Sequence, residues 1–198
     1  MKRIILALLT LVMHNCTQAQ TIEVLDEKNG FRELKLGSLV SDYPGLEKKT
    51  SSNDNLFTLY YGGIPYSGQG DYYLNKPNEL YRNLQNTEIL RIYVKSFEGR
   101  IEEISLYLIL TPSLLEYFQM AFGKPNFIDC KCINQPDAIQ LYNWVGENVS
   151  LFIGGIPKTN LAIVHYLDKK LSSQRDYQEY LIQKQEKEKR QEDAKNDF

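Results

Sequence analysis

The segment from Glu88 to Leu110 constrains the fold more than any other part of the chain. Glu88 to Lys95 is dense in β-branched and aromatic residues, and alternation sets Leu90, Ile92 and Val94 on one face. Phe97-Glu98-Gly99-Arg100 then supplies a turn in which Gly99 can take a positive φ, and Ile101 to Leu110 returns as a second apolar strand. Two runs joined by so short a turn pair as an antiparallel hairpin, so a sheet organises this part of the molecule. The period then changes. Thr111 can cap a helix, Pro112 suits its first turn, and Leu114, Leu115, Phe118, Ala121 and Phe122 make an apolar stripe at helical spacing. Gly123 can end that helix in a left-handed conformation, and Pro125 prevents its continuation. Leu141 to Val145 and Val149 to Gly154 form another strand pair about Gly146-Glu147-Asn148. Strands and helices in this order define an α+β chain.

An internal echo extends the pattern. Asn55-Leu56-Phe57-Thr58-Leu59-Tyr60-Tyr61-Gly62-Gly63-Ile64-Pro65 resembles Glu147-Asn148-Val149-Ser150-Leu151-Phe152-Ile153-Gly154-Gly155-Ile156-Pro157, with Leu59, Gly62, Gly63, Ile64 and Pro65 identical to their counterparts. Each copy reads as a strand ending at a Gly-Gly bend, with proline blocking further ladder bonds. Upstream of each lies a strand followed by a helix signal: Phe31 to Leu36 before Ser38 to Gly45, and Ile101 to Leu110 before Pro112. Downstream lie Ile89 to Lys95 and Leu161 to Tyr166. The expectation is tandem βαββ-like halves, about residues 30–97 and 100–168, sharing one antiparallel sheet with helices on one face. Chance likeness of two aromatic strands with glycine turns is the plainer alternative. Residues 169–198 read as a C-terminal helix and charged tail: Leu171, Tyr177, Tyr180, Leu181 and Ile182 give a narrow apolar face, and Gln183 onward is charged with balanced signs. Such a stretch either makes a solvated helix with i,i+4 pairs or frays, and no sustained heptad supports a coiled coil.

The start of the chain reads as an address. Lys2 and Arg3 precede an apolar run from Ile4 to Met13, and Thr17-Gln18-Ala19 offers small residues where a signal peptidase reads. Residues 1–19 are thus expected to be a cleaved signal peptide and 20–168 the α+β domain. The apolar run is far short of the roughly twenty residues that span a bilayer. Met13, His14 and Asn15 are a poor lipobox before Cys16, so a periplasmic or secreted protein is expected rather than a lipid-anchored one. No second long apolar run follows, which predicts no transmembrane segment in the processed chain. The net charge of -2 offers no basic surface for nucleic acid.

Catalytic chemistry finds little to work with. Once His14 leaves with the signal, His165 is the remaining histidine, which removes zinc sites built on several His. His165 lies in the apolar run Leu161 to Leu167, where histidine either faces solvent from an edge or is satisfied in the core. No nucleophile elbow, phosphate loop or dinucleotide fingerprint occurs, and neither cofactor nor metal is expected. Glu102 and Glu103 are adjacent on a strand and point to opposite faces, so they cannot act as a carboxylate pair. Asp71, Asp129 and Asp137 lie in loops, and Asn53-Asp54-Asn55 is too short for a calcium loop. Cys130 and Cys132 flank Lys131; they read as a local disulfide pinning a loop, as two free or intermolecular thiols, or as a strained redox pair.

The one stretch with the texture of a binding surface carries Tyr60, Tyr61, Tyr66, Tyr72, Tyr73 and Tyr81 among Gly62, Gly63, Gly68, Gly70, Asn75 and Asn78. Tyrosine presents a rigid apolar face with a polar tip, while glycine and asparagine let a loop adapt. The plainer reading is an ordered connection whose tyrosines cover a sheet edge.

Asn29-Gly30-Phe31-Arg32-Glu33-Leu34-Lys35-Leu36-Gly37-Ser38, the Phe122-Gly123-Lys124-Pro125 helix ending and Asn143-Trp144 resemble small exported bacterial α+β proteins, most of them uncharacterised. In outline the tandem arrangement is similar to the β-lactamase-inhibitor-protein-like fold and to small outer-membrane assembly lipoproteins. The resemblance implies a binding or envelope-accessory role. The expected function is therefore that of an exported, non-enzymatic protein that binds another protein in the cell envelope. The alternative is a cell-wall hydrolase or glycan-binding module.

Overall fold

A computed structural model of the chain describes residues 23–48, 58–61, 64–67, 72–74, 79–129, 141–155 and 159–196. In chain order these form α1 (23–28), β1 (Gly30–Phe31), β2 (Leu34–Lys35), β3 (Glu47–Lys48), β4 (Thr58–Tyr61), β5 (Ile64–Ser67) and β6 (Tyr72–Leu74). Next come α2 (Glu79–Arg82), β7 (Asn83–Leu84), β8 (Thr87–Phe97), β9 (Arg100–Ile109) and α3 (Pro112–Phe122). The chain closes with β10 (Phe127–Asp129), β11 (Leu141–Val145), β12 (Val149–Gly155), β13 (Leu161–Asp168) and α4 (Lys169–Asn196). The main sheet is antiparallel and nine-stranded, ordered β10-β11-β12-β13-β9-β8-β6-β3, with β7 beside the start of β8. Within this sheet, strands before residue 98 lie on one side of the β8–β9 turn and strands after it on the other. The two halves thus meet in a single α+β sheet at the hairpin that the sequence marked most strongly.

The hairpin carries two bulges, and each redirects side chains. Ile89 pairs with Leu108 but Arg91 pairs with Tyr107, so Leu90 is an extra residue. Simple alternation put Leu90 inward with Ile92 and Val94. Instead Ile89 is buried at 2% exposure and Leu90 stands out at 38%, because one inserted residue reverses the faces on either side of it. Ile92 and Val94 are fully buried, as read. In the second bulge Lys95 pairs with Glu103 and Ser96 with Ile101, leaving Glu102 as the insertion.

One face of the sheet builds the main core. Ile92, Val94, Ile104, Leu106, Leu108, Leu151, Ile153 and Val164 pack there with Leu25 of α1, Tyr81 of α2 and the α3 stripe. Each such aliphatic or aromatic side chain contributes about 1.5–3 kcal/mol when fully buried. Leu114, Phe118 and Phe122 are the buried residues of α3, and Phe118 lies 6.2 Å from both Phe122 and Trp144. Gly123 caps the helix at φ 74, and its carbonyl accepts the Trp144 indole N–H at 2.9 Å. Thr111 occupies the N-cap with extended backbone but makes no side-chain cap bond. Its hydroxyl turns instead to that of Thr87, 2.9 Å away.

The first half departs from the reading at its start. The single strand expected from Phe31 to Leu36 is a tiny hairpin, with Gly30 opposite Lys35, that turns at Arg32 with φ 55. The helix expected from Ser38 to Gly45 is one 3-10 turn, Val40–Asp42. Residues 37–40 are bonded to the β8–β9 tip instead: Gly37 N–H to Ile101 O at 2.8 Å, Ile101 N–H to Ser38 O at 2.8 Å, and Val40 N–H to Gly99 O at 2.9 Å. Backbone groups engaged in that way cannot also close helical turns.

Both echo segments contain strands, but the strands are paired differently. β12 lies between β11 and β13, and Gly154 and Gly155 stay within the ladder opposite Ile163 and Ala162. β4 pairs with β5, from Thr58 opposite Ser67 to Tyr61 opposite Ile64, and joins no other described strand. A two-stranded ribbon has only edges, which is where a residue such as Pro65 is tolerated. The final helix α4 runs for 28 residues, every residue from Asp176 to Ala194 is exposed, and Lys184–Glu188 and Arg190–Glu186 form i,i+4 pairs. Among the described residues no helix is long and apolar enough to cross a membrane.

Candidate functional site

The structure divides the six tyrosines among three places. Tyr60, Tyr61 and Tyr66 belong to the β4–β5 ribbon. Tyr72 and Tyr73 belong to β6, where their backbones pair with Val94 and Tyr93 inside the main sheet. Tyr81 is 6% exposed and packs in the core, its ring 6.2 Å from that of Phe31. Burial first, then the neighbouring Glu33 and Tyr43, pushes the Tyr81 hydroxyl pKa upward against the pull of Arg32. The Tyr81 ring is therefore taken up in packing. Cys130, Cys132, Asp71, Asp137 and the segment 53–55 lie outside the described residues.

The sheet face opposite the main core holds the only described histidine. β13 places His165 directly opposite Ser105 of β9, and Glu103 sits two residues before that serine on the same strand face. The three close a triangle. The Ser105 hydroxyl donates to Glu103 Oε1 at 2.6 Å, the His165 Nδ1–H donates to the same oxygen at 2.7 Å, and Ser105 Oγ lies 2.9 Å from Nδ1. Glu103, Ser105 and His165 are 9%, 6% and 8% exposed. The Phe152 ring lies 5.3 Å from the imidazole, and buried Tyr93, Tyr107 and Ile163 extend the same face. Tyr93 and Tyr107 meet edge to face at 5.2 Å. Burial, then Tyr93 and the Glu103 carboxylate, raises the Tyr107 hydroxyl pKa above its usual range.

An acid, an imidazole and a hydroxyl in contact invite comparison with a hydrolytic triad, and the geometry answers it. In such a triad the serine sits on one ring nitrogen and the acid on the other, so that the imidazole carries a proton between them. Here both partners converge on Nδ1, and the serine proton points at the carboxylate. The triangle satisfies three buried polar groups together, each of which would be costly to bury alone. His165 is thus a buried, satisfied histidine on the sheet face away from the main core, rather than one facing solvent from an edge.

Glu102 and Glu103 go to different partners. Glu102 is fully buried and its Oε1 lies 3.1 Å from Arg175 Nε of α4, while Glu103 holds Ser105 and His165. Two residues in this region escaped the sequence reading. Ser105 stands at an alternate position between Glu103 and Tyr107, inside the otherwise apolar and aromatic run from Ile104 to Ile109, a signal of a polar site on one face. Arg175 stood among many charges and gave no such signal. Among the described residues no three His, Cys, Asp or Glu side chains gather into a metal site. No protein-family model, curated protein or solved structure matches the chain.

Proposed function

We propose that the chain is a non-enzymatic binding protein of the cell envelope, exported on residues 1–19, that takes a protein partner on the β4–β5 ribbon. The observation that supports this reading is the pairing of that ribbon, which stands apart from the nine-stranded sheet and carries Tyr60, Tyr61 and Tyr66. A two-stranded ribbon is marginal by itself in water and gains from whatever it packs against. Strand edges and tyrosines are what protein partners engage. The triangle at His165 weighs against the hydrolase alternative, because its serine and acid share one imidazole nitrogen.

Envelope extracts passed over the immobilised chain test the proposal. The wild type and a Tyr177→Ala control on α4 retain one partner protein, and the Tyr60→Ala/Tyr66→Ala double variant loses it without a change in thermal midpoint. Equal retention by the double variant rejects the ribbon. Cosedimentation with purified peptidoglycan would favour the glycan-binding alternative. Mass spectrometry of the processed N-terminus is expected to find Gln20, and a diacylated Cys16 would overturn the unanchored reading.

A further inference from the structure

Where the β1–β2 hairpin meets α3 and β13 there is a cavity of about 240 Å3. Lys28, Arg32 and Lys35 form its charged wall, and the rings of Phe31, Phe122 and Tyr166 line it; among the described residues no Asp or Glu does. The Lys28 ammonium lies 5.0 Å from the Phe122 ring centre and the Arg32 guanidinium 5.1 Å from that of Phe31. Arg32 also donates to the Asn83 carbonyl, and Lys35 Nζ to the Lys28 carbonyl at 2.7 Å. Among the described residues none of the three cations has a carboxylate within ion-pair distance. Burial first, then the Tyr117 hydroxyl, raises the Tyr166 hydroxyl pKa against the pull of Arg32.

The wall is held rigidly and under strain. Asn29, Gly30 and Arg32 all have positive φ, at 43, 129 and 55. A non-glycine residue there is strained and persists only where its surroundings fix it. They do so here. A Cβ on Gly30 would run into the Leu34 carbonyl oxygen. Asn29 Nδ2 donates to Leu36 O at 3.0 Å, and the Tyr43 hydroxyl donates to Glu33 O at 2.8 Å and accepts from Lys35 N–H at 3.0 Å. This backbone sets the half-buried Arg32 guanidinium over the Phe31 ring at the cavity.

We propose that this cavity binds a carboxylate joined to a flat apolar group, supplied either as a free aromatic acid or as the last residue of a peptide ending in a large apolar side chain. Three cations that pair with no acid among the described residues select an anion, and the Arg32 guanidinium keeps N–H groups beyond the one donated to the Asn83 carbonyl that can meet a carboxylate. The rings select an apolar body beside that anion. A volume of about 240 Å3 is below the usual range for drug-sized ligands, roughly 300–1,000 Å3, and suits one aromatic residue. The site uses none of the β4–β5 residues, so it stands or falls separately from the proposed protein partner.

Calorimetric titration of the full processed chain tests this with 3-phenylpropionate, its amide, and acetylated Gly-Gly-Phe with a free or an amidated C-terminus. Each acid is expected to bind at least roughly tenfold tighter than its amide, and Arg32→Gln to weaken acid binding by a similar factor, as loss of a charge-assisted pair does. Tighter binding of the peptide acid assigns a peptide terminus, and tighter binding of phenylpropionate assigns a free acid. Lys28→Gln and Lys35→Gln carry the same test if Arg32→Gln fails to fold. Acid and amide binding alike, no heat from any probe at millimolar concentration, unchanged affinity in the glutamine variants, or equal competition by inorganic phosphate would each overturn the proposal.

Discussion

Asp26 fastens the turn between β11 and β12 from α1, far away in sequence. Its carboxylate accepts the backbone N–H groups of Glu147 at 2.6 Å, Asn148 at 2.9 Å and Val149 at 2.8 Å. Asp26→Ala should lower stability by about 2 kcal/mol, read as a fall in urea midpoint with an unchanged slope. Gly146→Ala should act in the same direction, since its Cβ would come within 2.6 Å of that carboxylate. At the triangle, Glu103→Ala takes the shared acceptor from a buried hydroxyl and a buried imidazole and should cost about 3 kcal/mol, while Ser105→Ala should cost about 1. Denaturant unfolding of the two variants checks the ordering; Ser105→Ala as the worse of the pair would contradict it. The turn at Gly146-Glu147-Asn148 was legible in the sequence, but its dependence on Asp26 was not. The same holds for His165, whose partner Ser105 is 60 residues away and becomes a neighbour only through strand register.

Among elements, the long hairpin and α3 were legible because several local signals agree there: period, turn glycine, first-turn proline and terminal glycine. The bulges were not, since an inserted residue changes no composition and merely shifts which side chains face inward. The β1–β2 hairpin escaped for a similar reason. Its turn uses Arg32 at positive φ, where sequence reading looks for glycine or asparagine. Bulging leaves Glu102 buried against Arg175, so α4 is tied to the sheet through a charge that cannot reach water. Arg175→Met should therefore destabilise the fold by about 3 kcal/mol, and adding Glu102→Gln should restore part of that loss. Thermal unfolding of the single and double variants measures the coupling, and simple additivity would refute it.

For the molecule as a whole, the class and the meeting of two halves in one antiparallel sheet were legible from the spacing of strands along the chain. The different pairing of the echo strands was not, because β4 and β12 share residues but not neighbours. The α+β body also carries a pH signature. Burial, first among the causes, raises the hydroxyl pKa values of Tyr81, Tyr107 and Tyr166 above the ordinary 10.0. A group whose folded pKa is raised contributes its full stability below the unfolded value and loses it as pH climbs from there toward the folded value. The urea midpoint should thus be insensitive to these groups below pH 10 and fall above it, with Tyr107→Phe softening the fall. The function proposed for this body rests on the ribbon at Thr58–Ser67. A photo-reactive amino acid at position 66, irradiated in the cells that produce the protein, tests it most directly, with exposed Tyr180 on α4 as the comparison position. A discrete adduct with one envelope protein is expected from position 66 and none from position 180. The same adducts from both positions, or none from position 66, would contradict it.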